Sequence, residues 1–111
     1  MIIMISSEGD SLQSHPSLRF GRAPYFIAHN TDDDTSQVFS NDAVLARGGA
    51  GVAASQFLID HKISAALSGA FGPNAARVLS AAGIKMLTFD DSYKTIQSVI
   101  NGFKGNLLIE V

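Results

Sequence analysis

The chain has 111 residues, enough for one compact domain with a single core over residues 1–111. Apolar residues make up 46% of it, and 8 basic against 10 acidic residues leave a formal charge of −2. That balance excludes a broad nucleic-acid surface, which needs clustered Lys and Arg. With no cysteine, disulfides, zinc knuckles and thiolate-ligated iron–sulfur clusters are excluded as intrinsic features.

Ile2, Ile3, Met4 and Ile5 make a continuous apolar run that ends at Ser6 and Ser7. This is the pattern of a strand buried on both faces at the centre of an α/β sheet. The run is too short and lacks the basic leader of a secretory signal, and no later apolar stretch reaches membrane-spanning length. The expected compartment is therefore the cytoplasm, with no membrane partner. Residues 8–22 are polar, rich in Gly, Ser and Pro, and show no period. Long loops of this kind in small domains are often functional. PYFIAHN (24–30) predicts a second strand and SQVFS (36–40) a third, joined by the polar hairpin turn TDDDT.

From Gly48 the period changes. Ala50, Ala54, Phe57, Leu58 and His61 follow helical spacing behind the sequence GGAG. ISAALSG (63–69) predicts a fourth strand. Pro73 suits the first position of a second helix, whose stripe of Ala75, Val78, Leu79 and Ala82 closes at Gly83. IKMLTF (84–89) predicts a fifth strand. Asp91 or Ser92 then caps a third helix, which carries Tyr93, Ile96 and Ile100 and ends before Gly102. The tail NLLIEV has the composition of a short edge strand without an assigned place.

The order βββαβαβα predicts an α/β fold. Its mixed sheet has five strands in the order 3-2-1-4-5, strand two alone is antiparallel, and three helices cover the faces. Connections leave strands one and four in opposite directions, which opens a crevice between their carboxyl ends, where such sheets bind ligands. The loops at 6–22 and 69–74 meet there, and the RGGAG turn at 47–51 lies close by.

The crevice reads as an anion site of a particular sort. Helix starts offer free N–H groups, and both RGGAG and GAFGPN stand at one. A tight helix–sheet packing turn is the plainer role of the first, and a proline-started connection that of the second. Neither matches a phosphate loop or a dinucleotide fingerprint, so nucleotide binding is not supported. Of the four arginines, Arg19, Arg22 and Arg47 fall in or beside glycine turns. The histidines have no metal-site spacing. His61 suits a helix end and His29 strand packing, which leaves His15 as the one plausible ligand contact. Asp32, Asp33 and Asp34 read as a solvated turn. The first strand carries no carboxylate, so the metal-binding acids of a nuclease are missing from it, and no Ser/His/Asp triad can be built.

Three stretches in this order and spacing, SEGDSLQSHPSLRFGRAPYFI, RGGAGVAASQFLID and SGAFGPNAARVLSAAGIKM, resemble the dinitrogenase iron–molybdenum cofactor biosynthesis family over residues 2–101. The resemblance implies a ribonuclease H-like fold and a non-catalytic role. That role is binding or carrying an iron–molybdenum cofactor, its precursor or a related molybdenum–sulfur cluster. Small "orange protein" members hold a molybdenum–copper sulfide cluster without covalent ligation. The implied cargo is therefore a non-covalent molybdenum-containing cluster that purification can strip, with cluster-assembly or acceptor proteins as partners.

On this resemblance the binding residues come from three segments. The long loop supplies Ser6, His15, Arg19, Phe20, Gly21 and Arg22. The glycine turn supplies Arg47, Gly48, Gly49 and Gly51. Phe71, Gly72 and Asn74 come from the strand–helix turn. No residue is expected to be catalytic or a direct metal ligand. Many members read His-Gly-Ala-Gly where this chain has Gly48-Gly49-Ala50-Gly51 behind Arg47. Were that histidine a ligand elsewhere in the family, binding here would rest on amides and arginine. Two other classes stay open on the residues alone: a regulatory protein-interaction module without a cluster, and a degenerate nuclease.

Overall fold

The structure, a computed structural model, describes residues 1–42 and 49–111. Strands β1 (Ile2–Ser7), β2 (Tyr25–Asn30) and β3 (Thr35–Ser40) form an antiparallel meander. Helix α1 (Ala50–Asp60) leads to β4 (Ala65–Ser68), and α2 (Pro73–Ala81) leads to β5 (Lys85–Thr88). Helix α3 (Ile96–Lys104) and a final strand β6 (Ile109–Glu110) complete the chain. The sheet order is β3-β2-β1-β4-β5-β6, with β1, β4 and β5 parallel.

The first strand is buried because both faces of the sheet are covered. Ile3 and Ile5 point to one side, joining Ile27, Ala65 and Leu67 under Ile96, Val99 and Ile100 of α3. Met4 points to the other and joins Ala66 and Met86 under Ala54 and Leu58 of α1 and Ala75 and Leu79 of α2. Two apolar layers from one uninterrupted run are what a central strand of this kind requires.

Three expectations need correction. The sheet has six strands, not five, and β6 runs antiparallel to β5, so β2 is not the only reversed strand. Asn106 adopts φ 56° just after α3, and the chain turns back along β5, where Val111 N–H donates to Met86 O at 2.8 Å. Leu108 joins the α3 layer. Two residues of pairing thus cover an edge that β5 would otherwise expose.

The start of α3 is the second correction. Asp90 and Ser92 bond each other in a turn upstream, and Thr95 is the cap: its Oγ1 accepts from Ser98 N–H at 3.0 Å, while Thr95 N–H donates to Ser98 Oγ at 3.3 Å. Third, Gly102 lies inside α3 rather than beyond it. The Tyr93 ring packs where a Cβ would stand, 2.8 Å from Cε1.

Candidate functional site

The long loop after β1 is folded back rather than loose. Glu8 N–H donates to His15 O and Ser17 N–H to Ser6 O, each at 2.9 Å, with a bridge between Ser7 and Pro16. Its continuation makes a single 3₁₀ turn, Phe20–Arg22, whose first N–H donates to Ala70 O at 3.2 Å. That bond ties the loop to the connection between β4 and α2. Phe20 is buried, its ring centroid 5.4 Å from Phe26 and 5.1 Å from Phe71.

Three backbones then meet where side chains would not fit. A Cβ on Gly21 would lie 2.9 Å from both Cα and N of Gly51. A Cβ on Gly51 would lie 3.2 Å from that of Ala75. The 3₁₀ turn and the first turn of α1 therefore pack main chain to main chain, and the first turn of α2 closes on them through the Ala75 Cβ. Between them, at the carboxyl ends of β1 and β4, opens a cleft of about 400 Å³. This is the switch-point position that the strand order demands.

The cleft is lined by Arg19, Phe20, Gly21, Arg22, Gly49, Gly51, Phe71, Gly72 and Asn74 of the expected residues, with Ala50, Val52, Ala70, Pro73 and Ala75 beside them. The second group has no chemistry in its side chains. Only its place at two helix starts could have singled it out. Two expected residues are elsewhere. Ser6 is fully buried behind the cleft, its Oγ 2.8 Å from both Ser17 O and Ser68 Oγ, where it pins the loop to β4. His15 lines a neighbouring hollow of about 390 Å³ with Glu8, Pro16, Ser17 and Leu18, and this hollow shares Arg19 and Arg22 with the cleft. Arg47 and Gly48 lie outside the described residues.

The electrostatics of the cleft come from its main chain. Helix α1 starts at Gly49 (φ 71°, a left-handed conformation natural to glycine) and α2 at Gly72, and neither start has a side-chain cap or an acidic residue in its first turn. The first intrahelical bonds are Ala53 N–H to Gly49 O and Ala76 N–H to Gly72 O, both 2.9 Å. The N–H groups ahead of them, at Gly51 and Val52 of α1 and at Asn74 and Ala75 of α2, are those a helix leaves for an external acceptor. Helix α3 differs. Its start is closed by the Thr95–Ser98 box, and by loop carbonyls that accept from Ile96 (Ser14 O, 3.0 Å) and Gln97 (Leu12 O, 2.9 Å). Arg19 and Arg22 are exposed at the rim, and among the described residues no His, Asp or Glu lines the cleft. Among the described residues no group of three or more His, Asp or Glu could hold a metal ion.

The other titratable clusters are structural. His29 is buried, with Nδ1 2.7 Å from Ser36 Oγ and Nε2 3.1 Å from Asp34 Oδ1. The Lys104 ammonium, and after it the His29 ring, hold the exposed Asp34 carboxyl below the ordinary carboxylate range. His61 sits at the end of α1 as expected, its Nδ1 2.9 Å from Phe57 O and its ring against Phe57 and Phe39.

The family model for the dinitrogenase iron-molybdenum cofactor matches residues 1–106. Among solved structures, the chain is similar to the apo form of the orange protein from Desulfovibrio gigas. That match has 28% identity and a TM-score of 0.93 and covers 99% of this chain and 92% of that one. It is also similar to a NifB-like protein of the DUF35 family from Thermotoga, at 32% identity and a TM-score of 0.85, covering 98% and 91%. No curated protein matches the chain.

Proposed function

The chain belongs to the dinitrogenase iron–molybdenum cofactor family, and from that membership we propose that it is a non-catalytic carrier whose cargo is a molybdenum-containing metal–sulfur cluster held in the cleft. The observation that carries this reading is the contrast among the helix starts: α1 and α2 open uncapped into the cleft, whereas α3 is closed by its own side chains. Thiometallate clusters are polyanions with soft, weakly hydrated sulfur surfaces. Such a surface suits N–H donors beside the apolar wall of Phe71, Ala70 and Ala50. Each N–H to a charged acceptor contributes about 1.5–3 kcal/mol.

The donor set fits cargo rather than a resident metal. Among the described residues the cleft lining offers no carboxylate, imidazole or thiolate, so the contacts it makes are hydrogen bonds to sulfur and Arg charge, which can be undone by an acceptor protein. The sheet order 3-2-1-4-5 with β2 reversed agrees with a ribonuclease H-like core, to which β6 is an edge addition. Among the described residues no helix is long and apolar enough to cross a membrane.

The test is the visible spectrum of protein purified from its native host, followed by titration of the stripped protein with tetrathiomolybdate. Charge-transfer bands that track the protein, and saturable uptake that weakens with salt, are the expected results. Colourless protein that takes up neither tetrathiomolybdate nor its copper adduct would turn the reading to a partner-binding module.

A further inference from the structure

His15 is the one described imidazole that is both exposed and set in a hollow adjoining the cleft. Its Nδ1 lies 2.8 Å from Pro16 O. A carbonyl oxygen only accepts, so in the neutral ring the proton sits on Nδ1 and the lone pair sits on Nε2. Metal-ligating histidines are oriented in this way, one ring nitrogen donating to a backbone carbonyl while the other holds the metal.

The backbone around His15 is fixed on both sides. His15 O accepts from Glu8 N–H, Ser14 O accepts from Ile96 N–H at the start of α3, and Pro16 bridges to Ser7. The ring is therefore presented by an anchored loop. Arg19 and Arg22 line both the His15 hollow and the cleft, so a cluster seated against the helix starts and overhanging these arginines extends toward His15. An unprotonated nitrogen facing a polyanion is unfavourable unless a proton or a metal atom fills its lone pair, and a metal with an open position does so with no added proton. His61 has the same lock, Nδ1 at 2.9 Å from Phe57 O, but its ring lies against Phe57 and Phe39 away from both hollows.

The geometry points to His15 Nε2 as an inner-sphere ligand for a copper or iron atom of the cargo. The inference rests on the carrier reading above and adds one metal–protein bond to it. The step is purely coordinative: the imidazole lone pair fills an open position on the metal, and nothing is oxidised, reduced or expelled. Copper and iron accept imidazole. The molybdenum of tetrathiomolybdate, already surrounded by sulfide, has no position to offer.

The experiment uses the full chain with ¹⁵N-labelled imidazoles at pH 8, long-range ¹H–¹⁵N correlation, and two probes: tetrathiomolybdate alone, and tetrathiomolybdate with Cu(I). The ligand-free protein should show His15 as the Nδ1–H tautomer. Tetrathiomolybdate alone should leave its Nε2 resonance in place, and the copper-containing assembly should shift it strongly. His15→Gln should weaken capture of the copper-containing assembly at least tenfold, since even second-shell partners act on that scale, and should leave capture of tetrathiomolybdate alone within about twofold. His61→Gln should change neither, and unchanged melting of both variants shows that the fold persists. If the wild type captures the copper assembly while Nε2 stays unmoved, or if His15→Gln binds it equally well, the His15 assignment falls and the carrier reading stands. If the wild type captures neither probe, both fall together.

Discussion

Replacing Gly72 by Asp should make the protein more stable and, on the carrier reading, unable to hold an anionic cluster. Gly72 has φ −70° and ψ 162°, the extended geometry of an ordinary helix N-cap, and a Cβ built there meets no heavy atom within 4 Å. Neither strain nor crowding therefore calls for glycine at this position. An aspartate carboxylate at the cap would accept from the free N–H groups of the first turn of α2. Over glycine the cap itself gains a few tenths of a kcal/mol, the charge at the positive end of the helix about 0.3–1 kcal/mol, and the stiffer unfolded chain about 0.4–1 kcal/mol. The sum is about 1–2 kcal/mol, or roughly 4–8 °C in Tm for a chain of this size.

The same carboxylate would occupy the donors at Asn74 and Ala75 and add a negative charge to the cleft. Losing two N–H contacts of about 1.5–3 kcal/mol each should cost at least about a hundredfold in affinity. Calorimetric melting of the ligand-free protein gives the first quantity, and tetrathiomolybdate titration followed by charge-transfer absorption gives the second. Gly72→Asn, which caps without charge, should fall between wild type and Gly72→Asp in binding. A raised Tm with undiminished capture would remove the start of α2 from the site. A lowered Tm would mean that this helix start is not open.

Gly21→Ala should destabilise the fold by about 1–3 kcal/mol, because the new Cβ would stand 2.9 Å from main-chain atoms of Gly51 that cannot swing aside; urea melts at constant m-value measure it. Arg19→Ala should weaken tetrathiomolybdate capture a few-fold at low salt and by less as salt rises, since the side chain is exposed. Lys85→Ala, at the opposite end of the sheet from the cleft, is the control. The lowered pKa of Asp34 means that its contribution to stability is present above the ordinary carboxylate range and disappears as the carboxyl protonates on acidification. The Tm difference between wild type and Asp34→Asn should therefore be constant near neutrality and close below about pH 4; a difference that widened in acid would reverse the assigned sign.

The sheet was legible wherever burial on both faces left a continuous apolar run, as in β1 and β4, or where a glycine or proline marked a helix boundary, as at Pro73 and Gly83. It was not legible where the deciding partner is distant in sequence. β6 pairs through two residues only, too few for alternation to register, and it exists because β5 would otherwise be an open edge. Thr95 with Ser98 is a capping pair without the usual acidic third residue, and the acidic turn just upstream offers the stronger false signal. Gly102 reads as a terminator until the Tyr93 ring is seen against it. Ser6 and His15 were placed by their loop, but where each points depends on how that loop folds back on β1.

The cleft was legible for a different reason. Its donors are main-chain groups, which no residue type spells out, so what the sequence can show is which side chains are missing. Serine, threonine, aspartate or asparagine at position 72 would have closed α2 as Thr95 closes α3; glycine stands there, as it does at the left-handed start of α1. Gly49 has a conformational reason to be glycine, while the geometry of Gly72 accepts any residue, so what glycine preserves at Gly72 is the open end of the helix. The absence of cysteine acts in the same direction. On the carrier reading, a thiolate in this cleft would bond the cluster's metal directly, whereas amide and guanidinium donors bind without coordinating and can be exchanged one at a time for those of an acceptor. On that reading, a site for release is built from groups that bind without coordinating, with the proposed His15 contact at its margin as the one directed at a metal with an open position.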